Sequence, residues 1–130
     1  MSDHTVNRYR ENQIMTASRE QILLALYDGA IRFAQQACDA IAARDPAAKG
    51  KAIGRAIAIV GELNGTLDHG KAPELCANLS SIYNYMLARL NEGSAKMQTA
   101  PIEEVIGHLQ GLRETWQKAI FASAHEQPAV

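Results

Sequence analysis

Aromatic residues make up only 5% of this 130-residue chain, and only two cysteines occur. Cys38 and Cys76 lie inside apolar runs without a CxxC partner, so neither a zinc motif nor a redox motif is indicated. Both read as small buried hydrophobes. Charge of one sign is lacking too. The net charge is −1 and the pI is near 6.4, which argues against the basic surface of a general nucleic-acid binder. No apolar run approaches the ~20 residues of a membrane-spanning helix, so no membrane insertion is expected. The opening MSDHTVNRYRENQ is polar and has no apolar secretory core, so the chain is expected to stay in the cytoplasm.

Catalytic signatures are lacking as well. There is no Glu-x-x-His pair of the kind that holds metals inside helical bundles and no glycine-rich phosphate loop. No spacing singles out a nucleophile and its base. Glu104 and His108 are four apart and share a helix face, where they read as a solvated pair. Asp68-His69 reads as a helix-end turn. The chain is therefore expected to need no cofactor or metal and not to be an enzyme.

What is present is helix. Apolar residues reach 47% and alanine is abundant, which suits one helical domain. Ser18 followed by Gln21 forms a capping box for a first helix. Its apolar residues run through Ile22, Leu23, Leu26, Tyr27, Ala30, Phe33, Ala34, Ala37, Cys38 and Ile41 at helical spacing. Asp45-Pro46 restarts the chain as N-cap and first helical residue. A second helix then carries Ile53, Ile57, Val60, Leu63 and Leu67, with Gly70 as its expected stop. A third carries Leu75, Leu79, Ile82, Tyr83, Met86 and Leu90 towards Gln98, weakened at Gly93-Ser94. Pro101 marks a fourth, with Glu103 and Glu104 near its positive end and a stripe of Ile102, Val105, Ile106, Leu109, Leu112, Trp116 and Ile120. No strand-like alternation occurs. The expected fold is all-α, an antiparallel up-down four-helix bundle over residues 18–122, with a flexible N-terminal arm (1–17) and a frayed tail (123–130).

Helices three and four confine their large apolar residues to about 140° of arc, whereas Ile22, Leu24, Leu26, Tyr27 and Ile31 spread over about 200° of the first. That width fits either the most buried helix or one whose edge lines a groove for a partner helix. Glycines 54, 61, 65, 107 and 111 fall inside helical stretches, each at a cost of up to about 1 kcal/mol against alanine. Close packing is the expected return, and room for a ligand side chain the other. Tyr27 and Tyr83 fall on apolar faces with hydroxyls that need a partner, while Tyr85 points nearly opposite its helix's stripe.

Four segments resemble a known family. They are QILLALYDGAIRF (21–33, with Tyr9 and Thr16-Ala17-Ser18 before it), KGKAIGRAIAIVGELNGTLD (49–68), ANLSSIYNYMLARL (77–90) and PIEEVIGHLQGLRETWQKAI (101–120). Their content and order are similar to those of the FliS flagellar chaperones over residues 9–120. Arg19 stands where that family usually has Pro, Gly93-Ser94 where it has Ala-Asn, and Gln98 where Asp is common. The second and third of these changes are expected to loosen the third helix near its end.

The resemblance implies a helical bundle that binds the disordered C-terminal segment of flagellin. It also implies that premature polymerisation is prevented and the client delivered to the export gate protein FlhA. A monomer or weak homodimer is expected. An N-terminal arm that covers a groove until the client arrives points to Val6, Tyr9 and Ile14. Leu24, Ile31, Ile57 and Tyr85 are the other candidate partner-binding residues. The alternative is a generic helical-bundle adaptor for another helical client.

Overall fold

The computed structural model describes residues 17–126. Within them lie four helices: α1 (Arg19–Ala42), α2 (Pro46–Gly65), α3 (Pro73–Lys96) and α4 (Thr99–Glu126). No strand occurs among the described residues. Each helix packs on two others, α1 on α2 and α4, and α3 on α2 and α4. This is the cyclic neighbour pattern of an up-down-up-down bundle.

Local chemistry sets the helix ends. Ser18 Oγ accepts from Gln21 N at 3.1 Å while Gln21 Oε1 accepts from Ser18 N at 3.0 Å, the reciprocal capping box. Asp45 Oδ1 accepts from Ala48 N, and Pro46 follows as first helical residue. Such caps contribute about 1 kcal/mol each.

Three boundaries differ from the sequence reading. α2 ends at Gly65, not Gly70, because Thr66 Oγ1 donates back to Leu63 O and the chain turns, with Asp68 Oδ1 accepting from Gly70 N. α3 is not loosened at Gly93 but runs unbroken to Lys96. Gly93 is buried, and a Cβ there would lie 2.7 Å from Ile102 Cγ1, so its bare backbone lets α4 approach. α4 begins at Thr99, and Pro101 sits buried in its first turn, where its missing N–H leaves no helical bond unmade. The same helix extends to Glu126, past the expected limit at 122.

The core is a stack of small residues from α1 (Ala30, Ala34, Ala37) and α2 (Ala52, Ala56) against larger ones from α3 and α4 (Leu79, Met86, Leu90, Ile102, Val105, Leu109). At Gly29, a Cβ would stand 3.1 Å from Ile59 Cδ1, so α1 and α2 cross closely there. Cys76 is buried and Cys38 half-buried; both are free thiols. Burial, with Glu103 and Asp39 nearby, pushes the Cys38 thiol up to about 11.

Candidate functional site

The bundle diagonal is bridged by polar atoms. Tyr27 on α1 and Tyr83 on α3 bring their hydroxyls to 2.5 Å, and Trp116 Nε1 on α4 donates to the Tyr27 hydroxyl at 3.1 Å. Both tyrosines are almost wholly buried, and burial pushes both phenols above their ordinary value of 10.0. They stay neutral hydroxyls at any physiological pH.

Two apolar grooves open around this relay. One, of about 540 Å³, runs between the start of α1 and the α2–α3 joint. Its walls are Ile22, Leu23 and Leu26 on one side and Leu67, Leu75 and Leu79 on the other, with Leu63, Tyr83 and Trp116 also lining it. Ile22 on α1 and Leu75 on α3, which both line it, are 51% and 52% exposed. The other groove, of about 700 Å³, lies between the start of α1 and the end of α4, along Leu23, Leu24, Trp116, Ala119 and Ile120. Leu23 and Trp116 line both, so the apolar surface continues around the N-terminal end of α1.

A third hollow, of about 750 Å³, separates α3 from α4 beside Ile82, Tyr85, Gly107, Gly111 and Leu112. Glu104 anchors its polar edge. It accepts from the Tyr85 hydroxyl at 2.6 Å and from Arg89 Nε at 3.0 Å, and pairs with His108 Nε2 at 3.1 Å. Those hydrogen bonds, that of Tyr85 foremost, hold its carboxyl below the ordinary range. Among the described residues, no cluster of three or more His, Cys, Asp or Glu could hold a metal ion, and no helix is long and apolar enough to cross a membrane.

The sequence profile described as "Flagellar protein FliS" matches residues 1–123. The chain belongs to the FliS family. Curated relatives agree. It is 36% identical over 109 residues to the flagellar secretion chaperone FliS of Salmonella typhimurium, covering 83% of this chain and 81% of the relative. Against the Bacillus subtilis flagellar secretion chaperone FliS the identity is 34% over 112 residues, covering 86% and 83%. Against FliSB of Pseudomonas aeruginosa it is 33% over 106 residues, covering 82% and 84%.

The FliS-like segments meet in space. In the LYDGA run, Tyr27 contacts Tyr83 and Trp116, Asp28 pairs with Arg113, Gly29 lies against Ile59, and Ala30 is in the core. Residues that mark the family here therefore include several that tie α1 to α3 and α4.

The candidate partner-binding residues do not gather at one place. Leu24 lines the α1–α4 groove and Tyr85 the α3–α4 hollow. Ile31 and Ile57 are half-buried against the core and line none of the three openings described. Val6, Tyr9 and Ile14 lie outside the described residues. The sequence reading placed Ile22, Leu75 and Ile82 in core stripes, but all three are exposed. Leu75 and Ile82 are seven apart and so share one edge of the α3 stripe, a signal that was available. The helical glycines at 54, 61, 65, 107 and 111 have nothing within 4 Å of a built Cβ, so close packing does not explain them. Gly107 and Gly111 line the α3–α4 hollow instead.

Proposed function

We propose that this FliS-family chain binds the C-terminal segment of flagellin in the cytoplasm, holds it back from polymerising, and presents it to the export gate protein FlhA. The observation that carries the reading is the continuous apolar surface around the start of α1, with Ile22 and Leu75 both exposed along the groove between α1 and the α2–α3 joint. A disordered client loses chain entropy when it binds and needs extended apolar contact in return. A preformed bundle offers such contact without ordering itself. Monomeric or weakly dimeric chaperone suffices.

Ile22→Glu and Leu75→Glu test the reading. Both side chains are about half exposed, so the bundle should melt as before. Each substitution is expected to weaken binding of a flagellin C-terminal peptide at least tenfold. Unchanged affinity in both would move the site elsewhere, and binding of an unrelated amphipathic helix with equal affinity would favour a generic adaptor.

A further inference from the structure

Charge is unevenly placed along the groove between α1 and the α2–α3 joint. Leu63, Leu79 and Tyr83 line it from the core, whereas Arg19 and Lys71 line it as exposed cations. Arg19 opens α1, and Lys71 lies just before α3. The first and third helices of an up-down-up-down bundle run parallel, so both cations stand at the same end of the groove. Arg19 also lines the groove between α1 and α4, so this end is where the two apolar surfaces join.

Neither charge stabilises the bundle. Among the described residues, neither cation has an ion pair or a side-chain hydrogen bond. Each stands beside the positive end of a helix, where a cation is disfavoured. Asp68 is the carboxylate that lines this groove, and its Oδ1 accepts from Gly70 N in its own turn. Glu20 and Glu74, in the first turns of α1 and α3, do not line it. One carboxylate against two cations leaves this end of an apolar groove positive.

A helix that ends here meets complementary charge. Its last carbonyls carry partial negative charge, and a chain end adds a full carboxylate. A C-terminal segment always brings that group, whatever its side chains; an internal helix with the same apolar stripe does not. We infer that Arg19 and Lys71 are specificity-determining residues that receive the client's terminal carboxylate. They make the groove prefer the end of a chain to an internal helix and fix the direction in which it lies. The inference rests on the flagellin reading above for its occupant. Exposed charge pairs are weak singly, so the effect is modest and apolar contact remains the main source of affinity.

The test is calorimetric titration of the full chain with a synthetic flagellin C-terminal peptide, as free acid and as C-terminal amide. The wild-type chain is expected to bind the amide about three- to tenfold more weakly at low salt. A chain carrying Arg19→Gln and Lys71→Gln is expected to bind both forms alike. Both side chains are exposed, and a thermal melt checks that this variant folds. In a further arm, each Asp and Glu of the peptide is replaced by Asn or Gln. If one of those positions couples to the two cations and amidation has no effect, a side-chain carboxylate sits there and the terminal assignment is overturned. Equal binding of acid and amide by the wild-type chain, or a loss on amidation that persists in the double variant, overturns the inference while the flagellin reading stands. Should the wild-type chain bind neither form, both fall together.

Discussion

Trp116 on the last helix donates its indole N–H to the hydroxyl of Tyr27 on the first, at 3.1 Å, and these two residues lie in two of the segments that resemble FliS. Replacing Tyr27 by Phe removes the acceptor of the half-buried indole and leaves the buried Tyr83 hydroxyl without this partner. The expected cost is about 1–3 kcal/mol in a urea melt. A loss under about 0.5 kcal/mol would show that the relay contributes little to the fold.

The same pair sets an alkaline limit. In the unfolded chain a tyrosine ionises near its ordinary 10.0, whereas burial raises both phenols in the folded state. The folded state then holds more protons than the unfolded one above that pH, so stability is intact below it and falls as pH rises further. Tyrosinate absorbance from Tyr27 and Tyr83 should appear only together with loss of helical circular dichroism. Ionisation of both near 10.0 in a fully helical protein would contradict their burial.

Glycines divide by environment. Gly107→Ala and Gly111→Ala add a methyl where nothing lies within 4 Å, inside a continuous helix. Each is expected to stabilise by about 0.5–1 kcal/mol. Gly93→Ala puts a Cβ 2.7 Å from Ile102 Cγ1 and 2.9 Å from the Gln98 carbonyl oxygen, and should destabilise by about 1–3 kcal/mol. Thermal melts of the three variants check the ordering; a stabilising Gly93→Ala would refute the close approach of α3 and α4.

Much of the bundle was legible because its signals are local. The Ser18–Gln21 box and the Asp45-Pro46 restart need only neighbours in sequence, and both form as read. Periodicity likewise marked Tyr27, Tyr83 and Leu109 as core. What was not legible depends on which helix lies opposite. Leu75 and Ile22 have the same chemistry as their buried neighbours and differ only in facing a groove. Gly93 looked like a helix breaker because its reason, the packing of Ile102, comes from another helix. The Tyr27–Tyr83–Trp116 relay joins residues 56 and 89 positions apart, a pairing that no spacing rule announces.

The N-terminal arm carries its own expectation. Val6, Tyr9 and Ile14 are the apolar residues that would cover a groove if the arm acts as a latch rather than a frayed terminus. Deleting residues 1–16 should then tighten binding of the flagellin segment or speed its association. Unchanged affinity and rate by stopped-flow and titration would remove the covering role.

The central claim is that the chain holds flagellin by its C-terminal segment through mainly apolar contact. Isothermal titration calorimetry with full-length flagellin, and with flagellin lacking that segment, tests it most directly. The account predicts a one-to-one complex with the full-length protein, a negative heat-capacity change and only mild weakening by salt. It predicts no measurable binding to the truncated protein. Equal binding to both, or to neither, would contradict the account, and a complex that collapses at moderate salt would show that charge rather than the apolar grooves holds the client.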